Sequence, residues 1–159
     1  MRASERYISA VVFATVLGAG SIVARADDGQ HCVLPYVKIL ARDGFTGLTD
    51  CSQGTVDAHR VGEVVASGKH YAIIDYRYVT KPMVAGGVSH GGQRILVIES
   101  GENFRGGYVL GTPPFYTISI HGKSVYIDAP QSQGNEIRFG DSGPPERVHL
   151  AGDLTRLSR

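Results

Sequence analysis

Over much of the chain apolar and polar residues alternate with the two-residue period of a half-buried strand. The stretch from His70 to Val79 is the strongest case: Ile74, Tyr76 and Tyr78 fall on one face, Asp75 and Arg77 on the other. From Phe115 to Ala129 the pattern predicts a hairpin, with Tyr116, Ile118 and Ile120 on its apolar face, a turn at His121-Gly122-Lys123, and Val125 and Ile127 resuming that face. Arg94 to Glu99 is apolar on both faces, the mark of a strand inside a sheet, and Phe104 to Leu110 follows across a loop at 100–103. Ile137/Phe139 and Val148/Leu150 repeat the alternation in short form, and Val33 to Leu40 reads as a strand stopped by Arg42-Asp43-Gly44.

Two segments are less decided. Thr55 to Ala66 offers an N-cap and a closing Gly68 for a helix. Val56, Val61, Val64 and Val65 are β-branched, however, and Gly62 weakens a helix, which favours a strand. Lys81 to Gln93, with Pro82, Gly86, Gly87, Gly91 and Gly92, is predicted to be the longest loop. Glycines recur about every ten residues in the C-terminal half, at 101, 111, 122, 134, 143 and 152. Short strands at that interval predict an all-β domain, a single antiparallel sandwich or small barrel.

The N-terminus changes the composition to be explained. Arg2 and Arg6 precede an apolar run from Ile8 to Val23, and Ala24-Arg25-Ala26 places small residues where a signal peptidase reads them. Residues 1–26 are therefore expected to be a secretory signal and 27–159 a single β-rich domain, exported to the periplasm or secreted. No integral membrane segment is expected after cleavage, because the apolar run is shorter than the roughly 20 residues that span a bilayer. Cleavage removes Arg2, Arg6, Arg25 and Glu5, leaving 13 basic and 14 acidic residues in 133. A nearly neutral chain without a basic run is not expected to bind nucleic acid. Cys32 and Cys51, an even pair in an exported chain, are expected to form a disulfide, worth roughly 3 kcal/mol through loop closure.

Candidate chemistry is sparse. Gly140-Asp141-Ser142-Gly143-Pro144 resembles the nucleophile loop of trypsin-like serine proteases, and His59 and Asp75 precede Ser142 in the chain order of that family. The resemblance implies Ser142 as nucleophile, His59 as base and Asp75 as orienting acid. Pro144 stands where the family has a second glycine, and the interval from His59 to Asp75 is far shorter than the family shows. The loop is also good turn chemistry in its own right. His31, His59, His70, His90, His121 and His149 show no metal-ligand spacing, so neither a metal nor another cofactor is expected. Tyr76 and Tyr78, with Arg77 and Arg94 nearby to orient an anionic ligand and His90 in the glycine-rich loop, form a candidate recognition surface. The expectation is a non-catalytic binding or interaction module, whose partner is a protein or a small molecule. The alternatives are a small serine-type hydrolase acting through Ser142, and an inhibitor of a secreted enzyme such as lysozyme.

Overall fold

The structure, a computed structural model, describes residues 36–49, 52–82, 84–100, 103–129 and 135–159. The expected signal at 1–26, His31 and the Cys32–Cys51 pair lie outside the described residues. Within them the chain forms one short helix, α1 (Val37–Arg42), and nine strands. The strands are β1 (Gly54–Ala66), β2 (Lys69–Thr80), β3 (Gly91–Glu99), β4 (Asn103–Gly111), β5 (Thr117–His121), β6 (Ser124–Asp128), β7 (Glu136–Arg138), β8 (Arg147–Leu150) and β9 (Asp153–Arg156). All pairings are antiparallel, in a four-stranded sheet β1-β2-β3-β4, a three-stranded sheet β5-β6-β7 and a hairpin β8-β9. The molecule is mostly antiparallel β, and the described strands close no barrel.

The four-stranded sheet is buried on both faces, which is why β3 is apolar throughout. On one face Tyr71, Ile73, Ile95, Val97 and Tyr108 share a core with Ile118, Val125, Ile127 and Ile137 of the three-stranded sheet and Leu150 of β8. On the other, Ile74, Tyr76, Leu96, Ile98 and Phe104 pack with Ile39 and Leu40 of α1 and with Phe45. β1 contributes to both cores. Its pairing with β2 slips between Arg60 and Gly62, so that Val61 is an extra residue. Because the side-chain period is two, this bulge moves the even-numbered residues across the sheet. Val56 joins the core on the helix side, while Val64 and Ala66 join the other.

Three details differ from the sequence expectations. Val33 to Leu40 is not a strand as far as it is described: Val37–Arg42 is a six-residue helix, with the adjacent Ile39 and Leu40 both buried. Lys38, Leu40, Ala41 and Arg42 are good helix formers, and docking two consecutive apolar residues on one surface requires a helical turn rather than a strand. The loop after β2 ends at His90, not Gln93, since Gly91, Gly92 and Gln93 already pair with Val79, Tyr78 and Arg77. The hairpin turn is Gly122-Lys123 alone, with His121 paired to Ser124, and its first strand starts at Thr117, leaving Phe115 and Tyr116 in the preceding crossover. The 54–66 segment is a strand, as its β-branched residues favoured.

Asp43 fastens the helix to the sheet. Its carboxylate accepts from Arg42 Nε at 2.7 Å and from the backbone N–H of Phe104, at the start of β4, at 2.9 Å. Those two donors hold the Asp43 carboxyl down at about 2, against an ordinary value of 3.8. A carboxyl depressed by folding contributes its stability fully above pH 3.8 and loses it as the pH falls towards 2. Thermal unfolding midpoints followed from pH 5 to pH 2 should therefore drop less steeply for Asp43→Asn than for the wild type. Identical slopes would show that the tether carries no pH-dependent stability.

Candidate functional site

The inner face of the four-stranded sheet turns from apolar to polar at one end. Across β1, β2 and β3 the directly opposed residues Asp57, Arg77 and Gln93 form one row, and His59 and Asp75 form the next. Asp75 and Gln93 are each only 1% exposed, so both need internal partners. Gln93 supplies them: its amide nitrogen donates to Asp75 Oδ1 and to the carbonyl of Tyr116, both at 2.8 Å, and its oxygen accepts from Tyr116 N–H at 2.7 Å. Arg77 Nη2 donates to Asp75 Oδ2 at 2.7 Å and to the Tyr116 carbonyl at 3.2 Å. The Arg77 guanidinium also lies over the Phe115 ring, 5.5 Å from its centroid. His59 Nε2 stands 3.8 Å from Asp75 Oδ2 with a half-exposed ring.

This cluster ties the crossover between β4 and β5 to the large sheet and leaves Asp75 fully engaged. It brings together two of the three residues singled out by the protease resemblance, His59 and Asp75, but not Ser142. Ser142 sits in a tight turn closed by reciprocal hydrogen bonds between Gly140 and Gly143. That turn lies against Tyr71, where a Cβ on Gly143 would come within 2.6 Å of the phenol oxygen. Tyr71 and Asp75 are four residues apart on β2, about 13 Å at the strand rise. No nucleophile–base hydrogen bond joins Ser142 to His59.

The recognition candidates are divided by the sheet. Tyr76, Tyr78 and Arg94 face the helix side, whereas Arg77 faces the other. Tyr76 is buried, donates to the Leu48 carbonyl at 2.9 Å, and has its phenol pushed up to about 12 by that burial. Arg94, cross-strand from Tyr76, lies over the Phe45 ring at 5.7 Å. His90 is exposed and belongs to a different feature.

That feature is a cleft of about 700 Å³ where β2 runs out into the 81–90 segment. Pro82, Val84 and Val88 form apolar wall, and Gln53, Thr80, Lys81 and His90 supply polar groups. The segment is anchored at both ends: Thr80 and His90 exchange backbone and side-chain hydrogen bonds, and Lys81 N–H donates to the Gln53 carbonyl. Between those anchors Val84 and Val88 are 69% and 75% exposed and present apolar surface to the cleft. A smaller cleft of about 160 Å³ is lined by Thr55, Asp57, Arg77, Tyr78, Val79 and Phe115. Pro82, Val84 and Val88 were legible only as loop residues, because nothing in an isolated Val signals that a loop will hold it in solvent.

Among the described residues no group of three His, Cys, Asp or Glu side chains converges as metal ligands, and no helix is long and apolar enough to cross a membrane. Comparisons with known protein families, curated proteins and solved structures find no match to this chain.

Removing the Gln93 amide leaves the Tyr116 N–H and one Asp75 oxygen without partners, and leaves the Tyr116 carbonyl with Arg77 alone. Gln93→Leu should therefore cost roughly 3 kcal/mol in chemical denaturation. His59→Ala, which gives up only a long contact from a half-exposed ring, should cost under about 1 kcal/mol. Equal losses in the two variants would contradict the roles assigned to them.

Proposed function

We propose that the chain is an exported, disulfide-bearing β-sandwich that binds a small amphipathic ligand without catalysis, in the cleft beside the 81–90 segment. The observation that carries this reading is the pairing of an apolar wall, Pro82, Val84 and Val88, with Lys81 and His90 at one opening of about 700 Å³. Ligand sites have that size and that mixture: apolar area for affinity and a few polar groups for orientation. A ligand with an apolar body and one acidic group satisfies both halves. The small cleft walled by Phe115 and Tyr78 and edged by Arg77 is a separate opening beside β1.

The sandwich reading is supported by the core that β5-β6-β7 shares with one face of the larger sheet. Export and the disulfide rest on the N-terminal charge pattern and on the two cysteines. The hydrolase reading draws no support from the geometry, since Ser142 stands apart from His59 and Asp75 and the Asp75 oxygens are taken by Arg77 and Gln93. An enzyme inhibitor would be favoured by a rigid projecting loop, whereas the 81–90 segment borders a cavity.

Anilinonaphthalene sulfonate, an apolar body with one sulfonate, is a suitable probe. Its fluorescence should rise on titration with folded protein. Val84→Asp and Val88→Asp, exposed substitutions that leave the core untouched, should each weaken binding about tenfold, the cost of roughly one lost apolar contact plus an unfavourable charge. Lys81→Ala should weaken it by a smaller factor. Unaltered titrations in both valine variants would overturn the assignment.

A further inference from the structure

The β8-β9 hairpin holds an arrangement the binding cleft does not use. Arg147 and Arg156 are directly opposed across the antiparallel pair, so both side chains project from the same face. Like charges in directly opposed positions, with Cβ atoms about 5 Å apart, repel one another and destabilise the pairing. Among the described residues neither guanidinium is in an ion pair, in a chain where Arg42, Arg60, Arg77 and Arg105 each meet a carboxylate. Both line a cleft of about 510 Å³ together with Arg105, Glu146 and Ser142. Arg105 meets Glu99 at 3.3 Å. Glu146 borders the cleft without pairing to either unpaired arginine.

We propose that this cleft is an anion site for a phosphate- or sulfate-sized oxyanion, free or as a monoester on a small organic body. A tetrahedral dianion between Arg147 and Arg156 turns their mutual repulsion into two charge-assisted contacts, and guanidinium groups match such oxygens in pairs. Ser142 then has a use unrelated to nucleophilic attack: its exposed hydroxyl lines the same cleft and can donate to an anion oxygen. The Gly140–Gly143 turn fixes where that hydroxyl sits, because its two reciprocal hydrogen bonds, at 3.0 and 3.1 Å, close the loop tightly. The site is assembled from β4, the 140–145 turn and the hairpin, and it is independent of the cleft at 81–90.

The test is thermal unfolding of the full protein in sulfate, inorganic phosphate and phenyl phosphate, each against sodium chloride at matched ionic strength. At millimolar concentrations the oxyanions should raise the unfolding midpoint by on the order of 5 °C over chloride. Arg147→Gln and Arg156→Gln should each abolish that increment, and at low salt without oxyanion each should unfold at a higher temperature than the wild type, because the repulsion has gone. A larger shift from phenyl phosphate than from inorganic phosphate assigns the monoester, and the reverse order assigns the free ion. A midpoint that chloride raises equally, or an increment that persists in the Arg147→Gln/Arg156→Gln double variant, would overturn the proposal.

Discussion

The amide of Gln93 is the joint on which this architecture turns. Two sheets packed through an apolar core have no direction of their own, since apolar contact is non-directional and tolerates sliding. The bonds from Gln93 to the Tyr116 backbone supply direction, because they fix the crossover residue at which the chain leaves the large sheet for the small one. The buried Asp75 carboxylate makes that joint specific. It needs Gln93 on one oxygen and Arg77 on the other, and a register slip of one residue in β2 or β3 would leave a charge uncompensated in the interior. The hydrophobic pattern thus makes the sheets, while a few buried polar groups determine how the sheets are joined.

The same division explains what the sequence disclosed. Alternation marked β2, β5 and β6 and, in short form, β7 and β8, and the doubly apolar run at 94–99 marked the interior strand, because periodicity reports burial directly. The helix at Val37–Arg42 was hidden because six residues are too few to display a 3.6 period, and Val37 and Ile39 happen to alternate. β9 was hidden for the opposite reason: its large apolar residue, Leu154, is 53% exposed, so the strand is held by pairing with β8 rather than by burial. Gly91 and Gly92 resembled loop residues, yet Gly92 is a strand glycine lying under the Tyr78 ring, where a Cβ would approach the phenol oxygen to 2.7 Å. A glycine chosen for close approach and one chosen for freedom look alike in sequence.

Function was less legible than fold, for a related reason. Alternation already set Arg77 on the face opposite Tyr76 and Tyr78, but only sheet pairing shows that Arg94 lies across from Tyr76 on the helix side and that Arg77 is drawn into the buried Asp75 cluster. Conversely, Arg105, Arg147 and Arg156 are scattered along a nearly neutral chain, and only folding gathers them around one opening. Net charge records neither event. His59 and Asp75, linked in the sequence only through the protease resemblance, stand 3.8 Å apart within the Gln93–Arg77 cluster.

The bulge at Val61 also bears on how the molecule behaves among its own copies. β1 is the outermost strand of the four-stranded sheet, and a long outer strand offers unpaired amides and carbonyls to any other extended chain. By slipping the register midway, the bulge breaks that row into two short, differently twisted segments, while Asp57, Arg60 and Glu63 add charge along it. A long, unbroken outer strand is the kind of edge that pairs with other extended chains. The residue that lets β1 serve two cores therefore also interrupts the row of backbone groups along the sheet's outer edge.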